Sequence, residues 1–370
     1  MDGLGKRKME LYGIEKNSMN QSFYKDRTVL VTGHTGFKGS WLCCLLSSLG
    51  ARIVGYALDP PTDPSLFSVA CINELVSSFH GDICDQSALT SVFMNHMPDI
   101  VIHMAAQPIV RESYKNPVQT YHTNIMGTVH LLEAVRHCES VKSVVIVTTD
   151  KVYENREWEW GYRESDRLNG HDPYSNSKSC AELVTSSYKK SFLMNVAVST
   201  CRAGNVIGGG DFAADRIIPD CFRAVESKSE ISVRNESSVR PYQHVLEPLF
   251  AYLLVAEKQY YDKSKYEGIY NIGPDDKDCV TTGKLVNLFC EKWGESASWK
   301  TVSEDKAPHE AGFLKLDCSK AKSILKWKPV WNIDKAMDTT VEWSKEYLAG
   351  GRVRKIMEEQ ISEYLRDQCK

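Results

Sequence analysis

Two short constellations carry residue types and spacings suited to proton transfer. Tyr174 and Lys178 stand four apart in Asp172-Pro173-Tyr174-Ser175-Asn176-Ser177-Lys178. A proline belongs in the first turn of a helix, so this spacing sets phenol and ammonium on one helical face. An ammonium beside a phenol favours the phenolate and lowers the phenol's pKa toward neutrality, which makes a base able to take a hydroxyl's proton. A solvated helix face is the plainer account of Tyr-x-x-x-Lys. The second constellation, Thr148-Thr149-Asp150-Lys151, ends the apolar run Val144-Val145-Ile146-Val147. The C-terminal end of a strand is where open α/β sheets place reacting groups. Thr149 can hydrogen-bond the hydroxyl that Tyr174 deprotonates, while Asp150 and Lys151 set an acid and a potential base side by side; polar residues capping a turn are the alternative.

A ligand for this chemistry is indicated upstream. In Val29-Leu30-Val31-Thr32-Gly33-His34-Thr35-Gly36-Phe37-Lys38-Gly39, an apolar strand breaks into glycines at three-residue intervals and then a helix. Gly33 lets the chain turn off the strand, Gly36 lets backbone approach phosphate, and Gly39 lets the helix pack close against the sheet. A dinucleotide pyrophosphate then meets the helix N-terminus, with Thr35, Phe37 and Lys38 in the same turn. Asp59 stands 20 residues after Gly39, where an acid usually meets the ribose diol, or it only opens the Asp59-Pro60-Pro61 loop. With an acid and no basic residue there, NAD is favoured over NADP. Asp82, followed by Ile83, can approach the adenine edge; a helix N-cap is the other role, and it suits Asp85 better.

The elements that must position these residues follow from periodicity. Apolar β-branched runs predict strands over Thr28–Thr32, Arg52–Ala57, Val76–His80, Ile100–His103, Ser143–Val147 and Val196–Thr200. Helical periods fit Phe37–Leu49, Gln86–His96, Val118–His137 and Tyr174–Phe192. That is the form of a doubly wound parallel sheet, a Rossmann domain over 23–203. At 370 residues, against roughly 150 per domain, the chain has room for a second lobe. We expect 204–370 to be mainly a smaller α/β substrate-binding lobe and C-terminal helices, with some segments returning to the first domain. Amphipathic helices are expected over Ala336–Arg366, broken at Gly350-Gly351, and a flexible extension over 1–22.

Arg240 is the expected clamp on a substrate pyrophosphate, because a guanidinium fork matches phosphate oxygens; a surface salt bridge is its other role. Asn205 and Arg216 are further binding candidates. Lys plus Arg at 45 against Asp plus Glu at 48 gives a net charge of −3, without a basic block to trace a phosphate backbone, so nucleic acid is not an expected partner. Met1–Asn20 holds no apolar signal core, and the longest apolar stretches are strand-length, so a cytoplasmic chain without a membrane partner is expected. Its 12 cysteines never form Cys-x-x-Cys, and neither a metal site nor a disulfide framework is indicated.

These motifs resemble the extended short-chain dehydrogenase/reductase family, the NAD-dependent epimerases and dehydratases of nucleotide sugars, and within it the branch that dehydrates CDP-glucose. The most diagnostic stretch runs from Thr149-Asp150-Lys151-Val152-Tyr153-Glu154-Asn155-Arg156-Glu157-Trp158 to His171-Asp172-Pro173-Tyr174. Ala105-Ala106-Gln107-Pro108, Cys201-Arg202-Ala203-Gly204-Asn205 and Arg240-Pro241-Tyr242-Gln243-His244 also carry the likeness, which spans Phe23 to Tyr347. The family more often shows Trp at Tyr242, Cys at Val152 and a more basic pair at Arg111-Glu112.

The resemblance implies that Tyr174 removes the C4 hydroxyl proton of CDP-glucose as hydride passes to NAD, with Lys178 on the nicotinamide ribose and Thr149 on the hydroxyl. The 4-ketone acidifies the C5 proton. Lys151 then serves as C5 base or enolate stabiliser, Asp150 as the acid assisting loss of the C6 hydroxyl, and hydride returns to C6. An ammonium must first lose its proton to act as a base; burial eases that and Asp150 opposes it. Cofactor contacts from Ala105, Ala106 and Thr148 are implied, and Gln107 lines the nicotinamide and sugar or caps the next loop. Helices Val118–His137 and Tyr174–Phe192 would pair across a two-fold axis into a homodimer, although core packing explains the same apolar residues. An epimerase would have no need of Asp150-Lys151; a non-catalytic NAD and sugar-nucleotide binder would have no need of the proton-transfer groups at all.

Overall fold

Strand residues alternate between two cores, and that alternation makes the layers. In the computed structural model, which describes residues 19–294, 297–302 and 312–370, Val29 and Val31 face one side of the sheet and Leu30 the other. Six strands stand where periodicity predicts them: β1 (Thr28–Thr32), β2 (Arg52–Ala57), β3 (Ser77–His80), β4 (Ile100–His103), β5 (Ser143–Thr149) and β6 (Ala197–Ala203). Both β5 and β6 run on past the predicted Val147 and Thr200. The second half adds β7 (Val206–Ile207), β8 (Ile231–Val233), β9 (Val239–Arg240), β10 (Gln243–His244), β11 (Ile269–Ile272), β12 (Val280–Thr281) and β13 (Trp299–Thr301).

The main sheet has the order β11-β6-β5-β4-β1-β2-β3. Every neighbouring pair in it is parallel. Every residue of β5 is buried, as a strand covered on both faces must be. Chain order reverses between β1 and β4, so a crevice opens at the carboxyl ends of these two strands, where ligands bind in such sheets. A smaller lobe closes over it. Its core gathers Ile218, Ile231, Val233, Val280, Leu285, Phe289 and Met337, and its ladders pair β10 with β7, β12 with β9 and β13 with β8.

Much of 204–370 returns to the first domain. Strand β11 is an edge of the main sheet, and helix Leu246–Tyr261 is buried against it. Polar ties hold that helix: Ser143 Oγ donates to the Ala256 carbonyl at 2.9 Å and Gln259 Nε2 to the Val144 carbonyl at 3.0 Å. Helix Val353–Asp367 joins the same core through Met357, Ile361 and Tyr364. It is separated from helix Ile333–Leu348 at Gly350, whose φ is +72°.

Two expectations need correction. Residues 1–18 of the expected flexible extension lie outside the described residues, but the chain is packed from Met19 onward. Asn20 donates its backbone N–H to Glu257 at 3.0 Å, Phe23 stacks edge-on against Tyr260, and Tyr24 Oη donates to the Leu253 carbonyl. The aromatic pair has a hydrophobic helix to cover, and that ties the segment down. Helix Val118–His137 is not uniform either: Pro117–Tyr121 passes through a π-helical turn, His122–Met126, into Gly127–Arg136. Among the described residues, no helix is long and apolar enough to cross a membrane.

Candidate active site

At the end of β1 the chain turns through Gly33 at φ +76°, and a Cβ there would meet the Ala105 backbone nitrogen at 2.8 Å. Only glycine fits. Gly36 caps helix Phe37–Ser48 and lines the crevice; a Cβ on it would meet nothing nearer than the Gly33 carbonyl at 3.5 Å. The space above it is therefore a cradle in which backbone can meet phosphate at a helix N-terminus. Gly39 lets the first helical turn close onto the glycine loop itself, where the sequence had suggested the sheet.

That cradle opens into one cavity of about 1500 Å³ between the lobes. Thr35, Phe37, Lys38, Asp59, Asp82, Ile83, Ala105, Ala106 and Thr148 all line it. Asp59 presents an exposed carboxylate 3.5 Å from His80 Nε2. Asp82 accepts the Cys84 N–H at 2.9 Å, and Asp85 takes the N-cap role, accepting from Ser87 and Ala88. The donor set, the cradle and the acid beyond β2 fit a dinucleotide.

The proton-transfer residues line the same cavity. Because β5 extends to Thr149, the hydroxyl of that residue is fixed at a strand end, where it donates to Asp150 Oδ1 at 2.9 Å. Asp150 is 2% exposed, and its Oδ2 has no hydrogen-bond partner among the described residues. Burial pushes its carboxyl pKa up, against the pull of Lys151, Thr149, Arg240 and Lys38. An acid held toward its protonated form with one unspent oxygen is a proton donor in waiting. Lys151 is half-buried beside it.

Tyr174 stands in the first turn of helix Pro173–Ser191, which Asp172 caps by accepting the Ser175 N–H at 2.9 Å. Its phenol opens to the cavity but is enclosed deep in the protein, and that burial pushes its pKa up to about 12. A hydrogen bond with Thr149 and the nearby Arg216 favour the phenolate; Asp150 opposes it. The expected lowering by Lys178 is not found in the protein alone. Lys178 Nζ donates to the Val147 carbonyl at 3.2 Å, and burial pushes its amine down to about 8 while Glu182 raises it.

Across the cleft, Arg240 ends β9, 7% exposed, and Arg216 pairs with Asp211 at 2.9 Å. Both line the cavity with Asn205. Lys38, whose amine burial pushes down to about 8, feels Arg216 and Lys178 as well as Asp150. Positive charge is thus concentrated where an anionic ligand would sit. Gln107 is not brought to the site: its Nε2 donates to Thr120 at 2.8 Å and its Oε1 accepts the Ile109 N–H at 2.6 Å, so it caps the loop.

Sequence reasoning missed three positions. Glu182 lies one turn beyond Lys178 and is buried against Arg202; the Tyr174, Lys178, Glu182 period was its signal. Asn124, in the π-turn, donates to Ser177 Oγ at 2.8 Å and accepts the Gln107 N–H at 2.9 Å, for which no local pattern exists. Asp215 joins Arg111 of the first domain at 3.8 Å to Arg234 of the second lobe at 3.2 Å.

Fold and site together define an enzyme of the nucleotide-sugar epimerase and dehydratase class. The chain belongs to the GDP-mannose 4,6 dehydratase family, which it matches over residues 30–340. It is 47% identical to a CDP-glucose 4,6-dehydratase of Salmonella typhimurium, over 94% of this chain and 98% of that one. Two solved structures share the fold. A UDP-glucose 4-epimerase of Stenotrophomonas maltophila with bound NAD has a TM-score of 0.76 at 22% identity, over 88% of this chain and 100% of that one. A dTDP-glucose 4,6-dehydratase of Bacillus anthracis in complex with NAD has a TM-score of 0.72 at 23% identity, over 90% and 99%.

Proposed function

We propose that the protein dehydrates CDP-D-glucose to CDP-4-dehydro-6-deoxy-D-glucose and water, with NAD as its resident cofactor. The observation that carries this reading is Asp150: a buried carboxyl with an unpartnered oxygen, facing the same cavity as Thr149 and Tyr174. An epimerase needs only the hydroxyl-handling pair. A second proton donor is what elimination of water requires. The nearly full-length likeness to a CDP-glucose 4,6-dehydratase supports both reaction and substrate.

Bound nicotinamide would supply a hydride acceptor for C4 and return the hydride at C6, so none is consumed overall. The protein's own residues do the rest. Thr149 orients the C4 hydroxyl and Tyr174 takes its proton. The positive charge of Lys178 and of the oxidised ring, together with the Thr149 hydrogen bond, must bring the phenol down from about 12 for this to occur near neutrality. Lys151 takes the C5 proton or steadies the enolate, and Asp150 protonates the departing C6 hydroxyl. Arg240, Arg216 and Asn205 hold the pyrophosphate and sugar.

The reading extends to assembly and location. Val118 is 82% exposed and Leu183 61%. A second copy covering these apolar residues would give a homodimer, checked by light scattering. Twelve unpaired thiols suit the reducing cytoplasm. Purified protein incubated separately with CDP-glucose, dTDP-glucose and UDP-glucose tests the activity by product mass. Loss of one water from CDP-glucose without net NAD consumption is expected; dehydration of a different nucleotide sugar would replace the substrate, and no loss of water from any would overturn the reaction.

A further inference from the structure

Glu182 is the most densely bonded carboxylate near the catalytic centre, and no step above uses it. It is 3% exposed. Its Oε1 accepts from Thr148 Oγ1 at 2.6 Å and Arg202 Nε at 3.0 Å, and its Oε2 from Thr200 Oγ1 at 2.7 Å and Arg202 Nη2 at 3.1 Å. Four donors in the interior, two of them from a bidentate guanidinium, hold this side chain in one position. Its partners sit on β5 and β6, whereas Glu182 itself sits on helix Pro173–Ser191 at i+4 from Lys178 and i+8 from Tyr174.

Arg202 carries the tie outward. Its Nη1 donates to Tyr153 Oη at 2.8 Å and to the Glu164 carbonyl at 3.1 Å. The node therefore joins the helix that carries phenol and ammonium, the strand end that carries Thr149 and Asp150, and the loop that follows them. Such a buried pair is a costly way to gain stability alone, since apolar residues of the same volume are often as good or better. Its placement under Lys178 gives it a use.

We propose that Glu182 is a positioning residue of the catalytic helix: clamped by Arg202, Thr148 and Thr200, it keeps Lys178 charged and aimed at the nicotinamide ribose. It touches neither substrate nor cofactor. Lys178 has other charged or titratable neighbours: Lys38 at the start of helix Phe37–Ser48, His103 on β4 and Tyr174 on its own helix. His103, held between Thr32 Oγ1 at 2.7 Å and Thr128 Oγ1 at 3.3 Å, is kept neutral by burial, with its pKa pushed down to about 3. Lys38 repels. Glu182 is the neighbour whose charge favours the ammonium, offsetting the burial that pushes Lys178 down to about 8.

The inference rests on the NAD part of the proposed function and not on the dehydration. Its test is NAD affinity measured from pH 6.5 to 9.5 by calorimetry, on wild type, Glu182→Gln, Glu182→Asp and Lys178→Met. Wild type should lose affinity as Lys178 deprotonates, and Lys178→Met separates that share from the one due to Lys38. In Glu182→Gln the Lys178 midpoint should move down by about one pH unit, the lower end of what one nearby opposite charge does. Glu182→Asp should restore most of it. If Glu182→Gln does not fold, the double variant Glu182→Gln/Arg202→Met removes both charges of the pair. Because a cation is lost with the carboxylate, the Lys178 midpoint should still fall but by less, and an unmoved midpoint overturns the inference. A wild-type midpoint in Glu182→Gln, with only a lower Tm, would overturn the inference and reduce Glu182 to a structural tie. Wild type that binds no NAD would instead overturn the cofactor reading, and this inference with it.

Discussion

Asp150 and Lys151 are adjacent in sequence, but the fold treats them oppositely. The carboxyl is almost wholly buried, with one oxygen spent on Thr149 and one unspent, while the lysine stays half-exposed in the same cavity. Lys151→Met should therefore leave C4 oxidation intact and block elimination, so that reduced-nicotinamide absorbance accumulates on adding CDP-glucose while product does not form. Unchanged product formation would remove Lys151 from the mechanism. Asp150→Asn keeps the shape and the Thr149 contact but not the proton, and should cost about 10²–10⁴ in turnover, the usual worth of a positioned acid. Tyr174 and Lys178 were legible because both lie on one helix, four residues apart, and local spacing is what a sequence displays. The state of the phenol was not. It depends on how deeply the helix is enclosed, which burial decides and adjacency does not reveal.

At the scale of elements, strands β1, β4 and β5 were legible because a parallel sheet covered on both faces writes continuous apolar runs, whereas the edge strand β3, Ser77–His80, is mostly exposed and carries no such run. Strand β11 was not, since Ile269–Ile272 is short and carries Asn271 in the middle; that side chain is satisfied by the Tyr162 and Asp317 carbonyls and the Tyr153 hydroxyl, all from distant segments. The π-turn before Gly127 escaped for a similar reason: its consequence, Asn124 turned inward between Ser177 and the Gln107 loop, is a tertiary fact. The loop before helix Ile217–Glu226 shows the same limit. Asp215 sits at φ +59° and bridges Arg111 to Arg234 across the cavity mouth, while the adjoining Arg216 bears on Tyr174. Asparagine tolerates that left-handed backbone, so Asp215→Asn removes the charge with little strain. It should raise KM for the nucleotide sugar about two- to fivefold with kcat nearly unchanged, in line with the ~0.5–1 kcal/mol of partly exposed ion pairs. An unaltered KM would mean that the lobes are held together without this bridge.

For the whole molecule, buried titratable groups on opposite sides of neutrality set where the fold is most stable. Burial pushes Glu247 up from the ordinary 4.5 to about 7 and Glu257 from 4.5 to about 8. The unfolded chain releases these protons near 4.5, whereas the folded one keeps them longer, so folding binds protons in this interval and stability falls as pH rises through it. Asp150, also raised by burial, adds to that side. Three histidines act the other way: burial pushes His34 down from 6.5 to about 4, and His103 and His244 from 6.5 to about 3. Below 6.5 the unfolded chain takes up protons that these folded histidines refuse, so stability is lost as pH falls toward 3. The two trends nearly offset each other between 4.5 and 6.5, and above 6.5 the glutamates dominate. Lys38 and Lys178, whose amines burial pushes down to about 8, then release protons that the unfolded chain keeps, which halts the decline near pH 8. Maximum stability is expected near pH 6 to 6.5, with Tm lower by roughly 2–4 °C at pH 8. Glu257, which receives the Asn20 N–H and so ties the start of the described chain to helix Leu246–Tyr261, should account for much of the alkaline loss. Melting curves from pH 5 to 8.5 on wild type and Glu257→Gln check this: the decline above 6.5 should flatten in the variant, because a carboxamide accepts the same N–H without a proton to lose. A wild-type Tm that rises between pH 6.5 and 7.5, before the two lysines titrate, would show that these carboxylates are ionised in the folded protein.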